Sequence, residues 1–449
     1  MKRKGIQVSK RFLLLLLVPI LFIGSQAASV EQSESSQTMA HPSELYFSSI
    51  PANPNVYRKI SVFSDPQLKK AKGEILPNTP FTIEQLFVND EGKAVFKIAD
   101  KGYVLADSSV IFSDVVQETQ EKKQDMWLKP GFKVYDRPLI NGAKEKNTPL
   151  SPYTKVTVLR TAKTLRDEFV EIEGQGWVNK AFVTEKDNRM EKVQDLLNSK
   201  YNSPSYGIYV KQLETGNTAG INPQKEMYSA SVTKLPYLYY VQEQLNKKAI
   251  SPTTTYKYIP EVNDFKGGYE PEGSGSLSKT PDGKEYSVQE LVDKIAKESD
   301  NVGHNILNYY VTHQSDQDFQ KTLDKIAKKH WDVEKREASA EMAGNVMEAV
   351  YQQNGSIIDA LSSTKYDDQR IARDLPVKVA HKIGDAYDFR HDVAIVYTNS
   401  PYVIAIFTDH SNYDTISNIS KDIYEAAKVD GASTPKAIIY VILPMLKPI

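Results

Sequence analysis

Ser231 and Lys234 stand three residues apart in the stretch Ser229-Ala230-Ser231-Val232-Thr233-Lys234, just before an apolar segment. On a helix this spacing puts both side chains on one face, within reach of each other. A lysine beside a serine can take its proton if the amine is held uncharged, which turns the hydroxyl into a nucleophile. The same residues also suit an ordinary helix start with a solvated lysine, so the pair decides nothing alone. Two further motifs follow in order. Ser299-Asp300-Asn301 reads as the end of a helix, and Lys382-Ile383-Gly384 as the start of a strand. Singly, the first is a helix cap and the second an edge-strand charge. Together they supply hydroxyls, amines and an amide to one site only if the fold gathers them.

The elements around them are legible. From residue 188 the pattern is mixed helix and strand. "YGIYVKQLETGNTAGIN" reads as two strands about a turn at Glu214-Thr215-Gly216-Asn217. The segment after Lys234 carries Leu238, Val241 and Leu245 at core spacing. Ser287 and Glu290 form a capping box ahead of an apolar face of Val288, Leu291, Val292 and Ile295. Helices are expected around Phe319, Leu323 and Ile326, and around Met342, Val346 and Val350. Two strands, "HDVAIVYT" and "YVIAIFT", and the helix "YDTISNISKDIYEAAK" close the unit. That order suggests an α/β (α+β) domain, an antiparallel sheet with helices on both sides.

Residues of roughly 190–430 thereby resemble the penicillin-recognising serine hydrolases, the class A β-lactamases and penicillin-binding proteins. The resemblance rests on the three motifs in order, and on "GSGSL", "SDNVGHNIL" and "HKIGDAYDFRHDVAIVYT" around them. It implies that Ser231 attacks a carbonyl and carries the acyl group, with Lys234 as its base, kept neutral by desolvation and by Lys382. Ser299 would pass a proton to the leaving group, steered by Lys382, and Asn301 would orient Lys234 and the substrate. Backbone N–H groups of Ser231 and, by the family's pattern, Asp385 would form the oxyanion hole beside Gly384.

Two departures matter. Family members carry Thr or Ser after the third-motif lysine, and here it is Ile383, which cannot donate a hydrogen bond to a substrate carboxylate. This puts penicillin and D-Ala-D-Ala recognition in doubt. The deacylating glutamate of class A enzymes also has no clear counterpart. "HWDVEKREASAE" holds Glu334 and Glu337 but looks too short to bring either under Ser231. Poor β-lactam hydrolysis is expected.

Other chemistries find little support. The seven histidines form no close metal pair, and there is no G-x-S-x-G elbow or glycine-rich phosphate loop, so no cofactor or metal is expected. His304, His381 and His391 lie near the motifs and read as packing or surface residues. With 56 basic against 57 acidic residues, a nucleic-acid partner is disfavoured.

The N-terminus reads as an export signal over residues 1–27, with basic residues, an apolar run from Phe12 to Ile23 and a small-residue cleavage site. It is the one route to a membrane, if uncleaved. There is no cysteine, so the chain has no disulfide to staple it. A leader follows over 28–43, then two weakly similar segments, 44–115 and 127–187, separated by a charged linker at 116–126. Both end in a Gly-aromatic-Val, at Gly102-Tyr103-Val104 and Gly176-Trp177-Val178. They resemble bacterial SH3-like modules of cell-wall proteins, the second nearer the Gly-Trp type. That implies either wall binding or a spacer. The hydrolase-like domain spans 188–430, and an apolar tail, 431–449, is too short to cross a bilayer. The expectation is a secreted, wall-associated bacterial serine acyl hydrolase whose partner is peptidoglycan or teichoic acid. The alternative is an inactive wall-binding scaffold.

Overall fold

The computed structural model describes residues 46–428. The expected export signal, the leader and the apolar tail lie outside the described residues.

The first unit is built from short strands broken by turns. Ala71–Ile75, Ile60–Phe63, Gly102–Leu105, Ala94–Ile98 and Ile83–Val88 form an antiparallel sheet in that order, and Pro54–Val56 pairs with Ile111–Ser113. Val62, Ile75, Phe96, Ile98 and Val104 fill its core. The second unit is a seven-stranded antiparallel sheet around Leu128, Val158, Val170, Ile172 and Val178. The weak internal similarity has a structural basis in one matched pair of glycines. Gly102 and Gly176 adopt φ of +130° and +137°, and a Cβ at either would fall 2.2 Å from Phe63 O or 2.4 Å from Tyr135 O. Both positions need glycine for the same close strand approach.

The linker expected at 116–126 requires correction. Glu118–Leu128 is an 11-residue strand, paired from Glu118 opposite Lys163 to Trp127 opposite Lys155. Its first six residues are exposed, so no apolar alternation marked it, and it is held by backbone pairing to Lys155–Lys163. The units are also docked to each other. Buried Asp114 accepts from Asn55 Nδ2 (2.8 Å), from Asn141 N (2.7 Å) and from Arg166. The second unit meets the third through Asn188 Nδ2 to Leu128 O (3.0 Å) and Tyr153 Oη to Asp195 Oδ2 (2.5 Å).

The third unit has a five-stranded antiparallel sheet, with strands numbered β1, Tyr206–Gln212; β2, Thr218–Ile221; β3, Val379–Ala386; β4, Phe389–Val396; and β5, Tyr402–Asp409. Their order is β2-β1-β5-β4-β3, which leaves β3, the third-motif strand, at an edge. Alternation divides the side chains between two cores. Ile208, Val210, Val396, Ile404 and Ile406 pack under α1, Arg189–Lys200, and the closing helix Tyr413–Ala427. Tyr209, Val393, Ile395, Val403 and Phe407 face the helical block. That block comprises α2, Lys234–Asn246; α3, Val288–Glu298; α4, Asn301–Tyr310; α5, Gln317–Ala327; and α6, Ala340–Gln353. The Ser287–Glu290 capping box is present and the apolar face of α3 is buried. The antiparallel sheet flanked by helices is therefore the observed fold.

Candidate active site

Ser231 lies in a 3-10 turn, Ala230–Thr233, that runs directly into α2. The turn is held open-handed rather than relaxed, since Ala230 adopts φ +48°, a costly region for a residue with a Cβ. Tyr269 Oη donates to Ala230 O at 2.9 Å, and Ser229 N and Oγ both donate to Arg336 O, at 2.6 and 2.8 Å. Ser231 itself is 8% exposed. Its hydroxyl has no hydrogen-bond partner among the described residues, Lys234 included.

Lys234 is fully buried. Its Nζ donates to Ser299 O and to Asn301 Oδ1, both at 2.6 Å, and lies 4.3 Å from the centre of the Tyr269 ring. Burial, then the Lys382 ammonium and, more weakly, Arg336 hold this amine well below the usual lysine range, against the opposing pull of Asp300. An amine in that state can accept a proton.

The second motif is a junction rather than a helix end alone. Ser299 caps α3 in the left-handed region (φ +56°), while the Asp300 side chain caps α4 by accepting from Gly303 N at 2.8 Å. This double role turns Ser299 O and Asn301 Oδ1 toward the same amine. Asn301 is fixed from behind, with Nδ2 donating to Glu270 O (2.8 Å) and N to Ser274 O (2.9 Å).

The third motif lies inside β3, which begins at Val379, three residues earlier than the sequence suggested. Lys382 Nζ donates to Ser299 Oγ at 2.8 Å and to Ile383 O at 3.0 Å. Burial lowers Lys382 to about 7, although Asp392 opposes the shift. Gly384 is where β3 closes on the Ser231 turn. A Cβ there would sit 2.7 Å from Ser229 O and 3.3 Å from Val232 N. Alternation places Ile383 on the opposite face of β3 from Lys382 and Gly384, paired with Asp392 on β4. The Asp385 carboxylate is engaged by Arg370 (2.7 Å), Arg390 (3.2 Å) and Tyr413, which leaves only its backbone as a candidate contact.

All seven expected residues thus belong to one cluster of contacting elements. Ser299, Lys234, Asn301 and Lys382 share hydrogen bonds, and Gly384 and Asp385 lie on the strand beside Ser231. Neither glutamate reaches it, since Glu334 pairs with Lys266 and Glu337 is exposed on the short strand opposite Tyr228. The three histidines are packing residues. His304 is wedged edge-on between Tyr237 and Tyr269, His381 bridges Asp392 and Asp367, and His391 stacks on Phe407. Tyr269 and Arg336 escaped sequence reasoning because they sit in loops without periodic or motif spacing. Among the described residues no group of three or more His, Cys, Asp or Glu is placed to hold a metal, and no helix is long and apolar enough to cross a membrane.

The family model of the beta-lactamase enzyme family matches residues 188–427, a little over half of the chain. The chain belongs to that family. As a member it is a serine hydrolase of the β-lactamase and penicillin-binding-protein type. Solved structures similar to it include PBP-A, at 17% identity over 53% of this chain and 95% of that one, with a TM-score of 0.45. A β-lactamase from Sphaerobacter thermophilus is 18% identical over 54% and 96%, with a TM-score of 0.44. A class A β-lactamase representative from Bacteroides cellulosilyticus is 20% identical over 54% and 99%, with a TM-score of 0.45. No curated protein matches the chain.

Proposed function

We propose that the chain is an exported cell-envelope acyl hydrolase that works through a Ser231 acyl-enzyme on a wall polymer. Its acyl donor is a D-alanyl ester of teichoic acid or, failing that, a peptidoglycan stem peptide. The observation that carries this reading is Lys234, a buried amine held low and fixed at 2.6 Å by both Ser299 O and Asn301 Oδ1. Such an amine serves as the base for Ser231, and Ser299, hydrogen-bonded to Lys382, passes the proton to the leaving group. The bond from Ser231 to the acyl carbon forms as the ester or amide bond breaks, and water later releases the acid.

Ile383 stands where the resemblance implies Thr or Ser, and, although its side chain is on the face of β3 opposite Lys382, the missing hydroxyl at this edge strand supports an acyl donor without a free carboxylate beside the scissile bond. The engagement of Glu334 by Lys266 and the exposure of Glu337 support poor β-lactamase activity. The two small β units, read as SH3-like modules, deliver the domain to the wall.

A second reading, a hydrolase-like wall-binding scaffold, is favoured by one feature, the absence of a Ser231–Lys234 hydrogen bond. Catalytic hydrogen bonds of unliganded sites are often long and tighten when substrate binds, which keeps the enzyme first. Release of D-alanine from D-alanylated teichoic acid by the parent and not by Ser231→Ala would support it. Binding to walls with no turnover in either protein would favour the scaffold, and turnover of stem peptides alone would move the substrate to peptidoglycan.

A further inference from the structure

Arg336 is a half-buried cation beside the candidate nucleophile, and no salt bridge joins it to a carboxylate among the described residues. Its guanidinium lies 3.9 Å from the centre of the Tyr269 ring. Nη1 donates to Tyr228 Oη at 3.3 Å, and Nη2 to the carbonyls of Gly267 and Gly268 at 3.0 and 2.9 Å. Nε is buried and has no partner. The neighbouring acids are turned elsewhere, Glu334 to Lys266 and Asp332 to Lys335. A guanidinium partly withdrawn from water and left without a counterion is suited to an arriving anion.

Next to it stands an exposed aromatic surface. The Tyr228 ring meets Tyr387 at 5.5 Å and 64°, and Tyr387 is 80% exposed at the tip of the β3–β4 hairpin. The tip is braced rather than loose. Arg390 Nη1 donates to Tyr387 O (2.6 Å) and Phe389 O (2.9 Å), and His410 N donates to Asp388 O (3.0 Å). Tyr387 keeps φ +54°, a region a tyrosine enters at a cost. Tyr228 lies three residues before Ser231, and Tyr387 three after Gly384, which abuts the Ser231 turn. The Tyr228 Cα is therefore within roughly 10 Å of Ser231, and the Tyr387 Cα within roughly 10 Å of Gly384.

We propose that Arg336, Tyr228 and Tyr387 form a subsite that seats a phosphodiester-linked polyol or sugar segment beside the acyl group attacked by Ser231. Arg336 takes the phosphate, and the tyrosine faces take the C–H side of the polyol or ring. This rests on the reading given under Proposed function and selects the phosphate polymer over the stem peptide.

The test is competition on the full chain. A neutral activated ester acylates Ser231, followed by intact mass, while unacylated oligo(glycerol phosphate), uncharged polyglycerol or a muropeptide is added. The expected result is protection by the phosphate oligomer alone, weakening as salt rises. Relative to each variant's own unprotected rate, Arg336→Gln should weaken protection about tenfold or more and Tyr387→Ala about threefold, with Arg336→Lys in between. Equal protection of parent and Arg336→Gln would overturn the subsite, as would protection by polyglycerol or Arg336-dependent protection by the muropeptide. If the ester labels no serine, it is the catalytic reading that fails. Direct calorimetric titration of the oligomer into parent and Arg336→Gln then decides the subsite, equal affinities overturning it.

Discussion

Replacing Gly384 by alanine tests how tightly the third-motif strand must close on the Ser231 turn. The new Cβ would fall 2.7 Å from Ser229 O, 3.0 Å from Val232 Cγ2 and 3.3 Å from Val232 N. Ordinary contact begins near 3.4 Å, so β3 must retreat by about 0.7 Å from a backbone oxygen that cannot rotate away. The proposed oxyanion donors, Ser231 N and Asp385 N, sit on opposite sides of that contact. A shift of this size takes one of two donors out of hydrogen-bond range, and a single donor is worth about 3–4 kcal/mol of transition-state stabilisation. Acylation of Ser231 should therefore slow by about 10²–10³-fold, while overpacking costs about 1–3 kcal/mol of stability. Acylation is followed by intact mass with a neutral activated ester, and folding by thermal melting of the same samples. Adding Val232→Ala should recover little, because the Ser229 O contact remains. A Gly384→Ala protein that melts lower but acylates at the parental rate would refute the placement of the oxyanion donors across this contact.

Lys382, lowered to about 7 by burial despite Asp392, makes the unfolded chain bind more protons than the folded one above that pH. Stability from this group therefore rises with pH from about 7 to 10.5, and the parent should gain on the order of 3 kcal/mol over Lys382→Met between pH 7 and 9.5 in denaturant titrations. His381 behaves oppositely. Burial works against its charge, but Asp392 and Asp367 outweigh it and raise it to about 9, so its contribution is complete below pH 6.5 and lost as pH rises through about 9. The stability gap to His381→Gln should be about 3 kcal/mol at pH 6, shrink steadily as pH rises above 6.5 and be nearly gone by about pH 9; a gap independent of pH would remove the ion pair from the explanation. Asp114→Ala strips the acceptor shared by Asn55, Asn141 and Arg166, and should cost about 3 kcal/mol and expose the junction of the two β units to limited proteolysis. Unchanged cleavage and melting would mean the junction is held by other contacts.

Much of the hydrolase-like domain could be read from local rules. The capping box at Ser287, the buried face of α3 and the two apolar strands each follow from short-range periodicity, and each stands where expected. The three motifs were legible as words, but their positions were not. Ser299 and Asp300 separate two helices because the left-handed Ser299 ends one and the Asp300 side chain begins the next, a reversal that no apolar repeat signals. The strand Glu118–Leu128 was read as linker because its exposed half is held by backbone pairing, which is blind to side-chain type. Tyr269 and Arg336 were invisible for a related reason. Their value comes from the Tyr269 ring, which meets both Lys234 and Arg336, the latter more than sixty residues further along the chain, with no fixed spacing to mark it.

The most direct measurement is the intact mass of the protein after exposure to a neutral activated ester, with Ser231→Ala and Lys234→Ala alongside and penicillin as a second reagent. The account predicts one acyl group added to the parent, none to Ser231→Ala and at most a trace to Lys234→Ala, with penicillin labelling more slowly than the ester. An adduct equal in parent and Ser231→Ala, or none in any protein, would contradict the assignment of Ser231 as the nucleophile activated by Lys234.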